Sequence, residues 1–273
     1  NQDGSLKANI GSLSLIELEI SRKGSQTPTP RFQDYHSWRG LLGSYLSQAA
    51  IIEKCQSYTM VAEENLKILI DLVNDINKNS VKGSLVECGV WKGGCIMVMA
   101  ISQMQYSTNR NIYLYDTFEG MTEPTSDKDE RYAKLTYKKI LIGEYKREYD
   151  IWHGENKWAF CPLDVVKENI SLTQYPEERI FYVKGDVLET LDGEIIPESI
   201  SILRLDTDWY DSTKKELEVL FPKVSIGGFI VIDDYMWYRG SRTATDEFLR
   251  EHRSQVEIVF SKEKSPLILK KIL

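Results

Sequence analysis

Several features are scarce in this 273-residue chain, and each scarcity excludes something. No run of 18 apolar residues occurs, so no segment reads as a membrane span. The most apolar early stretch, 10–20, carries Glu17 and Glu19 and lacks a basic leader, which argues against a signal peptide. There is no excess of positive charge: 34 Lys and Arg stand against 41 Asp and Glu, a net −7, which argues against nucleic acid as the main partner. Only four cysteines occur, Cys55, Cys88, Cys95 and Cys161, without metal-ligand spacing; they read as reduced and buried, and the chain as cytoplasmic. Histidines number three, and His36 and His252 read as surface residues. The three-glycine dinucleotide fingerprint and the Gly-Lys-Ser/Thr phosphate loop are both missing. The chain opens on Asn1 rather than Met, so an excision from a longer protein, such as a biosynthetic assembly line, stays open.

What is present is an alternation of strand-like and helix-like segments. Helical spacing covers 40–56 and 60–78; in the second, Leu66, Leu69, Ile70, Leu72, Val73 and Ile76 recur at threes and fours. Strands are expected at 84–90, 111–118, 179–187, 200–208 and 228–235, with helices at about 94–106, 162–174, 211–221 and 243–253 between and after them. Two last strands, 256–261 and 266–271, are joined by a tight turn and must be antiparallel to each other. The expected fold is α/β, a doubly wound parallel-type sheet closed by a C-terminal antiparallel hairpin. Residues 1–56 read as an N-terminal helical arm and 57–273 as the main domain. A stretch of aromatic residues between the second and third strands, within 119–161, reads either as a lid over a substrate or as an extra helix packed on the body.

Acidic residues gather at the expected carboxyl ends of the strands, where α/β sheets bind ligands. Glu87 and Gly89 end the first strand; Asp116 and Thr117 end the second; Gly185 and Asp186 end the third. Asp116 is placed to accept ribose hydroxyls, and Asp186 to face an adenine edge; turn-capping is the plainer alternative for Asp116. Asp206 and Asp208 end the fourth strand, and Asp233 and Asp234 the fifth. Four carboxylates that close repel one another, and a hard cation such as Mg²⁺ relieves this. On an extended strand Asp206 and Asp208 would share a face.

The segments Leu85-Val86-Glu87-Cys88-Gly89-Val90-Trp91-Lys92-Gly93-Gly94, Asp116-Thr117-Phe118-Glu119-Gly120-Met121, Leu203-Arg204-Leu205-Asp206-Thr207-Asp208-Trp209-Tyr210-Asp211-Ser212-Thr213 and Gly227-Gly228-Phe229-Ile230-Val231-Ile232-Asp233-Asp234-Tyr235 together resemble the macrocin O-methyltransferase family. The resemblance spans roughly 57–250. It implies a class I methyltransferase sheet of seven strands, and an S-adenosylmethionine- and Mg²⁺-dependent O-methyltransferase acting on a hydroxyl of a sugar or polyketide-type natural product. It implies Asp206, Asp233 and Asp234 as metal ligands and Asp208 as general base. It implies Glu87, Gly89, Asp116, Thr117, Gly185 and Asp186 around the cofactor, with Tyr58-Thr59-Met60 over its methionine end. Trp209, Tyr235 and His153 are candidates for touching the acceptor. A homodimer or homotetramer is implied as well, leaving 1–56 as an oligomerisation arm or a cap. Catechol-type methyltransferases place a lysine base where this chain has Trp209, which favours an aliphatic hydroxyl. A cephalosporin-hydroxylase-like enzyme on the same scaffold and a non-catalytic binding domain are the competing readings.

Overall fold

The computed structural model describes residues 46–145, 151–152, 155–261 and 266–273. The expected arm up to residue 45, the candidate His153 and the turn 262–265 lie outside the described residues. Seven strands form one sheet: β1 (Ser84–Cys88), β2 (Ile112–Asp116), β3 (Ile180–Lys184), β4 (Ile200–Leu205), β5 (Val224–Ile232), β6 (Val256–Ser261) and β7 (Leu267–Lys271). Their spatial order is β3-β2-β1-β4-β5-β7-β6. All pairs from β3 to β5 are parallel, while β7 runs antiparallel to both β5 and β6. This is the expected doubly wound sheet with its C-terminal hairpin.

The helices are α1 (Gln48–Cys55), α2 (Glu63–Lys78), α3 (Gly94–Gln103), α4 (Arg131–Leu141), α5 (Leu163–Ser171), α6 (Val187–Thr190), α7 (Tyr210–Leu220) and α8 (Arg239–His252). The central strands are apolar on both faces because both faces are covered. Alternate residues of one strand feed opposite cores: Leu85 belongs to the same apolar cluster as Leu66, Ile70 and Ile96, whereas Val86 belongs to that of Leu217, Leu220 and Phe248. Ile51, Ile52 and Cys55 of α1 belong to the first of these clusters, so the body of the protein begins upstream of residue 57. All four cysteines are buried and free. Burial pushes the thiols of Cys55 and Cys161 up to about 12. Among the described residues no helix is long and apolar enough to cross a membrane.

The strands stop short of the apolar runs that announce them. β1, β2, β3 and β4 end at Cys88, Asp116, Lys184 and Leu205, two or three residues before the expected ends. Each is followed within three residues by a left-handed backbone: Gly89 (φ 80°), Phe118 (52°), Gly185 (140°) and Asp208 (67°). Such a residue cannot continue a strand, so the carboxyl edge is a row of sharp turns rather than extended chain. β5 likewise ends at Ile232, and Asp233–Met236 forms a single 3₁₀ turn.

The 119–161 insert contains α4 and a two-residue ladder, Ile151–Trp152 with Glu155–Asn156. Ala133 and Ile140 of α4 bury against Trp158 and Trp209, making a third, smaller apolar cluster.

Candidate active site

The site is built on Arg204 of β4, which lies beside Glu87 of β1 and Val231 of β5 in the sheet register. Its side chain is 1% exposed and meets Glu87 Oε1 at 2.7 Å, Asp206 Oδ2 at 2.6 Å and Asp233 Oδ1 at 2.9 Å. Burial alone would lower its pKa, but the neighbouring acids, Asp206 and Asp233 first, reverse the direction and hold the guanidinium protonated. Glu87 is pushed the other way: burial raises its carboxyl to about 8, with Arg204 opposing. Its Oε2 is buried without a hydrogen-bond partner.

Past β4 the chain turns sharply. The Trp209 N–H donates to the Thr207 carbonyl at 2.7 Å, closing a γ-turn with Asp208 (φ 67°) at its centre. This turn is rare and strained. The Thr207 hydroxyl is held from below by the buried carboxyl of Glu216, at 3.0 and 3.2 Å. The turn, rather than an extended strand, brings Asp208 to the same place as Asp206. Carboxylate oxygens of Asp206, Asp208 and Asp234 lie within 4.8 Å of one another. The pKa of Asp234 is raised well above the usual carboxylate range, first by burial, then by the charges of Asp208, Asp206 and Asp233 and by a hydrogen bond with Asp208. Asp233 is pushed up to about 6 by burial, with Arg204 opposing. The structure thus groups Asp206, Asp208 and Asp234, and turns one oxygen of the expected ligand Asp233 onto Arg204.

Gly89 follows β1 where a Cβ would stand 2.0 Å from the Asp206 carbonyl oxygen, so only glycine lets β1 and β4 part here. Asp116 does more than face a ligand. Its carboxylate accepts the N–H groups of Val90 (2.6 Å), Trp91 (3.1 Å) and Phe118 (2.7 Å), lashing the β1–α3 turn to the end of β2. Burial raises its pKa while those three donors oppose the rise. Thr117 donates to the Gly120 carbonyl at 2.6 Å, and Asp186 caps α6 by accepting from the Leu188 N–H at 2.9 Å. Met60 is half-exposed. Tyr58 and Thr59 instead back the start of α3: a Cβ on Gly94 would meet the Tyr58 carbonyl at 2.6 Å, and the Thr59 hydroxyl lies 3.5 Å from Cys95 Sγ.

These groups open on one cavity of about 1010 Å³. That is the upper end of the roughly 300–1,000 Å³ usual for one drug-sized ligand, so two ligands fit. Of the sequence candidates, Met60, Gly89, Asp116, Thr117, Gly185, Asp186, Asp206, Asp208, Asp233 and Asp234 line it. Glu87, Tyr58, Thr59, Trp209 and Tyr235 do not. Glu87 sits under the floor on Arg204. Trp209 is 3% exposed; its Nε1 donates to the Thr122 carbonyl at 3.0 Å, and its ring meets Trp158 and Tyr238 edge-on at 5.7 and 5.3 Å. It pins the insert instead of facing a ligand. Tyr235 turns away to donate to Asp246 Oδ1 at 2.8 Å.

The residues missed are the aromatic ones: Trp91, Tyr115, Trp158, Trp237 and Tyr238, with Met121 and Thr122 from the insert. Trp237 and Tyr238 stand just after the acid pair of β5, and the aromatic content of the insert was the available signal for Trp158. Among the described residues the lining holds seven carboxylates, Glu64 with the six aspartates, and no lysine or arginine.

Residues 51–260 match the family model of macrocin-O-methyltransferase (TylF). A curated relative from Streptomyces niveus, demethyldecarbamoylnovobiocin O-methyltransferase, is 31% identical over 70% of this chain and 68% of its own length. A second, from Streptomyces olivaceus, is 32% identical over 66% of this chain and 63% of its own: 8-demethyl-8-(2,3-dimethoxy-alpha-L-rhamnosyl)-tetracenomycin-C 4'-O-methyltransferase. In fold the chain resembles the O-methyltransferase NovP, with a TM-score of 0.66 at 24% identity, covering 79% of this chain and 83% of that one.

Proposed function

The chain belongs to the macrocin O-methyltransferase family, and from that membership we propose that it transfers the methyl group of S-adenosylmethionine to a hydroxyl on a sugar or polyketide-type natural product, with a divalent cation, Mg²⁺, at its acids. The observation that carries this reading is the trio Asp206, Asp208 and Asp234 at the edge of a cavity large enough for cofactor and acceptor together. The residues present suit both absent groups. The carboxylates of Asp206, Asp208 and Asp234 crowd within 4.8 Å and raise the pKa of Asp234, a repulsion a hard cation relieves. An acid-lined cavity without lysine or arginine suits a sulfonium.

Asp206 and Asp234 would hold the cation, with Asp233 fixed beside them by Arg204. When bound, S-adenosylmethionine supplies an electrophilic methyl and Mg²⁺ makes a chelated hydroxyl more acidic. Asp208 takes the hydroxyl proton, a contribution of roughly 10²–10⁴-fold. Gly89, Asp116 and Gly185 seat the nucleoside end, and Trp158, Trp237 and Tyr238 wall the acceptor end. Holding the two reacting atoms together in this enclosure supplies much of the remaining rate. The four buried, free cysteines support a reducing, cytoplasmic setting.

The test is transfer of labelled methyl from S-adenosylmethionine to a panel of neutral glycosides and polyketide alcohols. Label transfer that stops on adding a strong chelator is expected. Transfer indifferent to chelation would remove the cation from the reading. Failure to bind S-adenosylhomocysteine would remove the reading itself.

Cation binding carries a pH signature. A protonated carboxyl does not ligate, and Asp234 keeps its proton above the usual range, so binding must displace it, while a deprotonated Asp233 beside the site adds attraction for the cation. Mg²⁺ affinity, measured by calorimetry, is therefore expected to rise from pH 6 to pH 8. For the cation-free protein the sign is opposite. A carboxyl whose folded pKa is raised gives full stability below its ordinary value, 3.8 for Asp233, and loses it as pH climbs through about 6. The cation-free melting temperature should decline between pH 5 and 7, and saturating Mg²⁺ should flatten the decline.

A further inference from the structure

Asp129 lies in the insert, 79 residues before the proposed base, yet it ends at the same turn. It is 4% exposed, and its Oδ1 accepts the Tyr210 N–H at 2.9 Å. Tyr210 opens α7, and Trp209 at the capping position supplies no side-chain acceptor. A residue distant in sequence therefore caps this helix. Gly240, the second residue of α8, completes the seat: a Cβ there would stand 2.0 Å from Asp129 Oδ1 and 2.7 Å from the Tyr210 nitrogen. A second tie, from Trp209 Nε1 to the Thr122 carbonyl, fixes the residue before Tyr210 to the same insert. Lys128 adds a third, reaching Tyr210 Oη at 2.6 Å and Glu247 Oε1 at 2.7 Å.

All three ties fall on Trp209, which closes the γ-turn, and Tyr210, which follows it. Thr207, on its other side, is held by Glu216. A side-chain-bearing residue stays in such a strained conformation only where its surroundings over-determine it. We infer that Asp129 is a positioning residue for Asp208: from the insert it caps α7 and so sets the turn that aims the base. The inference rests on the reading of Asp208 given above. It also makes this part of the insert a fixed clasp on the catalytic turn.

The test compares Asp129→Ala, Asp129→Asn, Gly240→Ala and the Asp129→Ala/Gly240→Ala double variant, with Asp208→Asn alongside. Asp129→Ala should lower kcat about tenfold, since misplacement of about 1 Å can cost about 10²-fold. KM for both substrates and S-adenosylhomocysteine affinity should stay within about twofold. An asparagine Oδ1 still accepts the Tyr210 N–H, so Asp129→Asn should restore turnover. Gly240→Ala fills the carboxylate's seat and should reproduce the loss, and the double variant should be no worse than the poorer single one. Wild-type kcat in Asp129→Ala, equal impairment in Asp129→Asn, or multiplying losses in the double variant would each overturn the inference. Full turnover in Asp208→Asn would overturn the reading beneath it instead.

Discussion

Replacing Asp208 by Asn is expected to reduce kcat at least a hundredfold and to leave cofactor binding unchanged. The carboxamide keeps the shape of the side chain but accepts no proton from a hydroxyl, and a positioned base contributes roughly 10²–10⁴-fold. A hundredfold loss corresponds to about 2.7 kcal/mol of transition-state stabilisation. The backbone should not move, because Asn tolerates the left-handed region as well as Asp does and the φ of 67° is preserved. Asn also removes one of the negative charges that raise the pKa of Asp234. Mg²⁺ binding should therefore persist, with weaker dependence on pH. Steady-state methyl transfer gives kcat, and titration with S-adenosylhomocysteine and with Mg²⁺ separates chemistry from binding. Wild-type turnover would remove Asp208 from the base role; a loss traced wholly to Mg²⁺ affinity would make it a ligand.

Much of the sheet was legible because its strands are buried on both faces. Runs such as Phe229–Ile232 carry no alternation and stand out between helical segments. The acids were legible for a related reason: a carboxylate directly after a buried run stands out against it and falls at the carboxyl edge of the sheet. Strand ends were not legible, since Val90, Val187 and Tyr235 prolong the apolar pattern beyond Cys88, Lys184 and Ile232, where left-handed or 3₁₀ turns take over. For that reason the route by which Asp208 joins Asp206 was misread, although their meeting was anticipated. Trp209 and Asp129 were opaque for another reason. Their roles depend on partners 87 and 81 positions away in sequence, and no local pattern encodes such a pairing. Arg204 stood in view as a charge on an apolar strand, but its three acidic partners come from β1, the turn after β4 and the turn after β5. Only the sheet order brings them together.

Arg204 also carries the largest expected effect on stability. Arg204→Met should lower unfolding free energy by about 3–5 kcal/mol, the usual cost of removing one partner from a buried ion pair. That is a large part of the roughly 5–15 kcal/mol a domain possesses. The loss follows from what remains: Glu87, 1% exposed with Oε2 already unpartnered, would keep no cation within reach. A second replacement, Glu87→Met, removes that stranded carboxyl and should recover part of the loss, because well-packed apolar groups often replace a buried pair at little cost. Urea unfolding of the single and double variants measures both quantities. Activity should not return with stability. Asp206 and Asp233 would still lack the guanidinium that orients them at 2.6 and 2.9 Å, so the double variant should fold yet bind Mg²⁺ weakly. If Arg204→Met were as stable as the parent chain, the contacts of Arg204 with Glu87, Asp206 and Asp233 would contribute nothing to the fold, and this account of the floor would fall. If the double variant regained activity, Arg204 would be holding the fold alone and not the acids at its edge.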